Sequence, residues 1–310
     1  MTYNELWRQL VQIYDEGEAK AIARMTYEER FGLTLSDIYL GKDMQLSTDD
    51  QTELREIANR LLQGEPIQYV LGQADFCGRT FMVNEHVLIP RPETEELCRW
   101  IILGNGLQDY RTITAKEKSV QSAKNKESLS PVVRCKKIVD IGTGSGSIAI
   151  TLAAEMPQSE VTAWDISADA LAVARENARR HNVHVSFEQV DALHLTSDIC
   201  HQTSAVFDII VSNPPYICNK EREAMEANVL EHEPHTALFV PDEDPLLFYR
   251  AIAQYGQSTL KDGGWLYFEI NPLYAEPLCD MLSMMSYCHI EIKADQFGKQ
   301  RMIRAQRSDK

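Results

Sequence analysis

Val139-Asp140-Ile141-Gly142-Thr143-Gly144-Ser145-Gly146 joins a short apolar run, KKIVDI (136–141), to a longer apolar segment, SIAITLAAEMP (147–157). The stretch reads as a strand, a glycine-rich turn and the start of a helix that Pro157 stops. Glycines in such a turn let the backbone approach a ligand closely and take dihedrals that a side chain forbids. The helix beyond offers its first N–H groups, unpaired within the helix, to a carboxylate or phosphate. Alone, such a turn could serve a dinucleotide, a phosphate or nothing.

Downstream, strand and helix alternate. EVTAWD (160–165), HVSFEQVD (184–191), FDIIVS (207–212) and WLYFEI (265–270) read as strands, and ADALAVARENARRHN (168–182) as a helix. Asp244 can cap a further helix with Pro245 at its first position, running to about Leu260, after which Gly263-Gly264 turns into the last of these strands. This order implies an α/β fold with a parallel sheet covered by helices on both faces. Asp165 ends a strand 23 residues after Gly142, Asp191 ends the next 26 residues on, and Asn213 follows 22 residues later. Polar residues thus recur at the carboxyl ends of successive strands, where open α/β sheets bind ligands, and Asp165 stands where a ribose-binding acid is expected. The turn is G-x-G-x-G, whereas the dinucleotide fingerprint is G-x-G-x-x-G. Asp140, two residues before the first glycine, resembles the acid that class I methyltransferases set beside the methionine ammonium. Together these features point to S-adenosylmethionine.

Ser212-Asn213-Pro214-Pro215-Tyr216 leaves the strand FDIIV directly. Two prolines fix φ near −65° and remove two donors, so the segment is stiff and its carbonyls are left unpaired. The Asn213 side-chain oxygen and the Pro214 carbonyl can accept both hydrogens of an NH2 group, and Tyr216 offers a flat face to a planar amide or base. An amide nitrogen is a poor nucleophile because its lone pair is delocalised. Two acceptors orient it and stabilise the positive charge that develops on it, so positioning and electrostatics suffice without a metal or strong base. This cage does not distinguish an amide from adenine.

Residues 1–75 read as a small helical bundle. Leu6, Leu10, Val11 and Tyr14 share one helix face, and a later helix carries a capping pattern at Thr48 and Gln51 with Leu54, Ile57, Ala58, Leu61 and Leu62 on its apolar side. Residues 76–89 suggest a β-hairpin linker with a turn at Asn84. Residues 90–310 then form the second domain, opening with a helix that has Pro92 in its first turn. Within it, 105–137 is poor in apolar residues and carries eight Lys or Arg against three acids, the composition of a mobile surface insertion.

Composition narrows the classes. The net charge of −15 disfavours a partner bound mainly through its phosphates, so no direct nucleic-acid contact is expected. Seven scattered cysteines without a C-x-x-C pair predict reduced thiols in a cytosol. No apolar run reaches the roughly 20 residues of a membrane span, and the N-terminus lacks a signal-peptide pattern. Pro234 between His232 and His235 breaks any helix that could align them on a metal, so no metal is expected. Cys218 reads as a bystander thiol, His181 and His184 as surface or capping residues, and Arg91 and Glu93 as helix-start charges or organisers of the site mouth.

The quoted motifs resemble the PrmC/HemK family of peptide chain release factor glutamine methyltransferases. Gly64-Glu65-Pro66-Ile67-Gln68-Tyr69, Leu88-Ile89-Pro90-Arg91-Pro92-Glu93-Thr94-Glu95, Asp140–Gly146, Asn213–Tyr216, Glu233-Pro234 with Ala237-Leu238-Phe239, and Asp295, Gly298 and Arg301 all carry the likeness. The resemblance implies a class I, Rossmann-like, seven-stranded methyltransferase domain with an antiparallel last strand, behind an N-terminal helical domain that docks the substrate. It implies methylation of the glutamine in the Gly-Gly-Gln tip of release factors, with S-adenosylhomocysteine as co-product. By motif, Gly142, Thr143, Gly144, Ser145, Gly146, Asp165, Asp191, Ala192 and Asn213 would hold the cofactor, and Asn213, Pro214, Pro215 and Tyr216 the acceptor. A monomer suffices for this reading. The chain departs from the family in its long 105–137 insertion and in Val240-Pro241-Asp242-Glu243-Asp244-Pro245, where a glycine-rich stretch is usual. The runner-up activities are an adenine N6-methyltransferase on DNA or RNA, and a non-catalytic S-adenosylmethionine sensor.

Overall fold

A computed structural model describes residues 1–105, 135–195 and 207–308. The chain divides into two compact units: residues 1–73 with 83–85 and 224–233, and residues 74–82, 86–223 and 234–310. No helix among the described residues is long and apolar enough to cross a membrane.

The first unit is helical: α1 (Tyr3–Leu10), α2 (Glu16–Met25), α3 (Leu35–Tyr39), α4 (Thr48–Leu62) and α5 (Ile67–Leu71). Leu6, Leu10, Tyr27, Leu54 and Leu61 are fully buried at its centre. The cap of α4 lies one residue earlier than the sequence suggests. Ser47 and Asp50 form the reciprocal box, because Ser47 has the extended backbone a cap requires while Thr48 is already helical.

In the second unit, β1 (Gln73–Phe76) and β2 (Arg79–Met82) form the hairpin, which starts earlier than the expected 76–89. Its turn is Cys77-Gly78 and not Asn84. Both residues have positive φ, 50° and 73°, the two-residue geometry that matches strand twist. The helix α6 (Pro92–Gly104) does carry Pro92 at its start. Most of the basic insertion, 106–134, lies outside the described residues. Its last residues belong to the sheet, since Lys137 opens β3 and donates its N–H to Asp208 at 2.9 Å.

The sheet is built from β3 (Lys137–Ile141), β4 (Glu160–Asp165), β5 (Ser186–Gln189) and β6 (Phe207–Ser212), joined by β9 (Leu260–Glu269), β10 (Tyr287–Ala294) and β11 (Gln300–Arg307). Between β6 and β9 the chain forms β7 (Ile217–Cys218) paired with β8 (Phe239–Val240). The seven strands are ordered β10-β11-β9-β6-β3-β4-β5, and β11 alone runs antiparallel to its neighbours. Helices α7 (Ser147–Glu155) and α8 (Ala168–Arg180) connect the first strands. The strand predicted over 184–191 is shorter, so Asp191 lies two residues past its end. Asp244 does not cap the helix at 247–259. Its carboxylate takes the Arg250 guanidinium at 2.6 and 2.9 Å, and its carbonyl accepts from Leu247, which delays the helix start.

Strand alternation decides which β3 residues face which core. Val139 and Ile141 pack in the cluster with Trp164, Tyr249 and Phe268, whereas Ile138 packs with Leu97, Ile101 and Leu152. Asp140 shares the face of Ile138 and is fully buried.

Candidate functional site

Strand register sets the site. Trp164 pairs with Ile141, Ile141 with Ser212, and Ser212 with Phe268, so one row crosses four parallel strands. The next residue on each strand is Asp165, Gly142, Asn213 and Glu269. These leave the sheet side by side at its carboxyl edge, beside the point where β3 has its sequence neighbour on one side and β6 on the other. The Ser212 hydroxyl donates to the Ile141 carbonyl at 2.6 Å and ties the two central exits together.

The glycine turn is held from β4 and α8. The Trp164 carbonyl accepts from the N–H groups of Gly142 and Thr143, at 2.8 and 2.9 Å. Asp165 accepts from Gly144 N–H through Oδ2 and from Ser167 N–H through Oδ1, both at 2.9 Å; burial nevertheless pushes its carboxyl up. Asn177 on α8 donates to the Ser145 and Met82 carbonyls, each at 2.9 Å. Gly142, Gly144 and Gly146 all have positive φ, but for different surroundings. A Cβ on Gly146 would meet Ile150 at 2.8 Å and Ala174 at 3.1 Å, whereas one on Gly142 or Gly144 would point into open space. Gly146 therefore serves helix packing, and the other two keep a clear approach to the backbone. Gly146→Ala should cost about 2–4 kcal/mol, from left-handed strain plus overpacking, against about 1–2 kcal/mol for Gly142→Ala from strain alone. Denaturant unfolding of the two variants checks this ordering, and equal losses would refute it.

Asp140 is the electrostatic centre of the turn. Its Oδ2 accepts from the Thr143 hydroxyl at 2.6 Å and from Ala149 N–H in the first turn of α7 at 3.2 Å. Its Oδ1 is buried with no hydrogen-bond partner among the described residues. Burial pushes the carboxyl up to about 7, against the pull of those two bonds. A buried acceptor left unmatched beside open backbone suits a ligand that brings a cationic donor. The S-adenosylmethionine ammonium is such a donor, so these residues fit that cofactor.

Asp191 is different. It is half-exposed and its carboxylate serves its own loop, accepting from Leu193 N–H at 2.8 Å and facing His194 Nδ1 at 2.6 Å; partial burial opposes these bonds, but they hold its carboxyl low. Neighbouring Ala192 packs at the margin of the core.

In the Asn213–Tyr216 segment, Asn213 Nδ2 donates to the Thr94 hydroxyl at 3.4 Å, and Thr94 donates to Glu269 Oε2 at 2.5 Å. The Tyr216 hydroxyl donates to Glu269 Oε1 at 3.1 Å. Burial first, then the Glu269 carboxylate, pushes the Tyr216 phenol well above its usual range, so it stays a neutral donor. Pro214 is buried and Pro215 half-buried. The Tyr216 carbonyl accepts from Asn271 Nδ2 at 3.2 Å, and Asn271 is held in turn by Glu221 at 3.1 Å. Cys218 is buried; its N–H donates to Glu221 Oε1 at 2.9 Å, and its sulfur lies 3.3 Å from the Tyr274 hydroxyl. Among the described residues, no group of three or more His, Cys, Asp or Glu side chains could hold a metal ion.

Sequence reasoning named neither Glu269 nor Asn177 nor Asn271, and met Thr94 only within a motif. A signal for Glu269 was available: it is a carboxylate inside the apolar strand WLYFEI, three residues before Pro272.

A family model for the PrmC N-terminal domain matches residues 5–72, and one for the methyltransferase small domain matches residues 126–238. A release factor glutamine methyltransferase of Bacteroides thetaiotaomicron is 44% identical over 298 residues, covering 96% of each chain. One of Flavobacterium psychrophilum is 40% identical over 295 residues, covering 95% of this chain and 94% of the relative. Among solved structures, the hMettl16 catalytic domain in complex with a 3′UTR hairpin overlays with a TM-score of 0.51 at 14% identity, covering 78% of this chain and 79% of that one. That likeness is one of fold.

Proposed function

The chain belongs to the family of release factor glutamine methyltransferases, and on that premise we propose that it transfers a methyl group from S-adenosylmethionine to the side-chain amide nitrogen of the glutamine in the Gly-Gly-Gln motif of peptide chain release factors. The products are N5-methylglutamine, S-adenosylhomocysteine and the proton that the amide nitrogen gives up. The observation that carries the reading is the single register row that sets Asp165, Gly142, Asn213 and Glu269 side by side, with cofactor-type residues at one end and acceptor-type residues at the other.

When bound, S-adenosylmethionine supplies an electrophilic methyl on a sulfonium. Asp140 Oδ1 would accept from its ammonium, and the backbone of Gly142 and Gly144 is open to close approach. Asp165, already fixed by two backbone N–H groups, keeps further lone pairs for ribose hydroxyls. By motif, Asp191 and Ala192 would also hold the cofactor. Asn213 Oδ1 and the Pro214 carbonyl hold the two acceptor hydrogens, which turns the nitrogen lone pair outward and stabilises the charge that develops there. Tyr216, a fixed neutral phenol, lays its ring against the amide plane, and Pro215 stiffens the segment. The first compact unit docks the release factor, and the protein works as a monomer in the cytosol.

The test is incubation with labelled S-adenosylmethionine and, separately, release factor, release factor lacking the Gly-Gly-Gln glutamine, and DNA, with mass spectrometric mapping. The expected label is one methyl on that glutamine alone. Label on DNA only would favour the adenine enzyme, and no label on any acceptor a cofactor sensor.

A further inference from the structure

Resting on the methyl-transfer reading above, we propose that Thr94 and Glu269 are positioning residues that set the direction of the hydrogen bonds at the acceptor site, and through it the orientation of the Asn213 amide. An Asn side chain has nearly the same shape either way round, so its own packing does little to choose which end faces a substrate. The choice must come from a partner that can only accept or only donate. Here the chain of donors starts from a carboxylate, which when ionised accepts only. Glu269 is 2% exposed and takes the Thr94 hydroxyl hydrogen on Oε2 and the Tyr216 hydroxyl hydrogen on Oε1. Burial, joined by the charge of Glu93, pushes Glu269 above its usual range, and those two bonds and the charge of Arg301 offset part of that push.

Threonine has one hydroxyl hydrogen. Once it is committed to Glu269, only lone pairs remain for Asn213, which must present its Nδ2. That leaves Oδ1 as the end for the acceptor NH2. The opposite orientation would offer an NH2 to an NH2 and halve the cage to the Pro214 carbonyl. The same carboxylate fixes Tyr216, whose ring is then tethered at both ends, by Glu269 at the hydroxyl and by Asn271 at the backbone carbonyl. Thr94 reaches this place because it is the third residue of α6, set by Pro92 at the start, and is itself buried.

The experiment compares wild type with Thr94→Val, which keeps the shape and removes the hydroxyl, and Thr94→Ser, which keeps the hydroxyl. Three readings are taken: kcat and KM on release factor, the Kd for S-adenosylmethionine, and solvent exchange of the Asn213 side-chain amide in 15N-asparagine-labelled protein with cofactor bound. Thr94→Val should lower kcat about 10- to 100-fold, the size of effect expected from a misplaced reacting group. KM and the cofactor Kd should stay within about threefold, and Thr94→Ser should recover most of kcat. The Asn213 amide should exchange slowly in wild type and in Thr94→Ser and faster in Thr94→Val. Wild-type kcat in Thr94→Val, a parallel loss of cofactor affinity, or no recovery with serine each overturn the proposal. If wild type fails to label release factor, the proposed function falls, and the exchange reading still decides the positioning role: unchanged Asn213 exchange in Thr94→Val sinks it.

Discussion

Asn213→Ala lowers methyl transfer to release factor by about a thousandfold while S-adenosylmethionine still binds. The substitution removes the side-chain acceptor that the proposed mechanism aims at the amide hydrogens, and stabilisation of developing charge by one such group is worth about 10²–10³ in rate. It also strips the Thr94 hydroxyl of its Asn213 donor, which adds loss of positioning. The cofactor end is spared, because the glycine turn is held by Trp164, Asp165 and Asn177 and not by Asn213. Single-turnover rates with saturating cofactor, together with calorimetric binding of S-adenosylmethionine, separate the two effects. Transfer at near the wild-type rate would remove the paired-acceptor mechanism. An equal collapse of cofactor binding would move Asn213 to the other half of the site.

Asp140→Asn produces two effects of opposite sign. Cofactor affinity falls about a hundredfold, because a buried carboxylate facing an ammonium is replaced by a neutral amide. Stability of the cofactor-free protein rises at neutral and higher pH. The folded-state carboxyl lies at about 7, above its ordinary 3.8, so between those values the folded protein holds a proton that the unfolded chain has lost. Wild-type stability therefore falls as pH rises through this window and levels off above about 7, a loss on the order of 4 kcal/mol. The asparagine variant lacks the Asp140 share of this slope, since its carbonyl can keep the Thr143 and Ala149 donors without a buried charge, and so falls less steeply than wild type. Denaturant unfolding at pH 5 and pH 8 checks the slope, and parallel behaviour of the two proteins would acquit Asp140. Wild-type cofactor binding should tighten as pH rises through about 7, where the carboxylate becomes available for the ammonium.

Much of the catalytic half is readable because its signals are local. The G-x-G-x-G turn, the alternating strands and the Asn-Pro-Pro-Tyr segment each report a backbone conformation through residues close in sequence. The structure departs from a local pattern where a competitor lies a few residues away. Ser47 took the cap offered to Thr48, Cys77-Gly78 took the turn offered to Asn84, and Arg250 took the carboxylate offered to the helix at 247–259. The helix Ala227–His232 groups with the first unit although it lies far along the chain in the second half. Nothing local marks that.

The sequence by itself determined the alternation of β3, β4, β5, β6 and β9 with their helices, the glycine turn, and the placing of Asp165 and Asn213 at strand ends with Asp140 just before the turn, since each is a matter of spacing and side-chain chemistry along a short segment. Tertiary structure alone decided that Asp140 Oδ1 is buried without a partner, and that Thr94 meets Glu269 across 175 residues of chain to direct Asn213 and Tyr216. Those contacts follow from strand order and register. A parallel sheet brings together the ends of strands that are distant in the chain, and the register row that aligns them is set by the packing of the whole sheet.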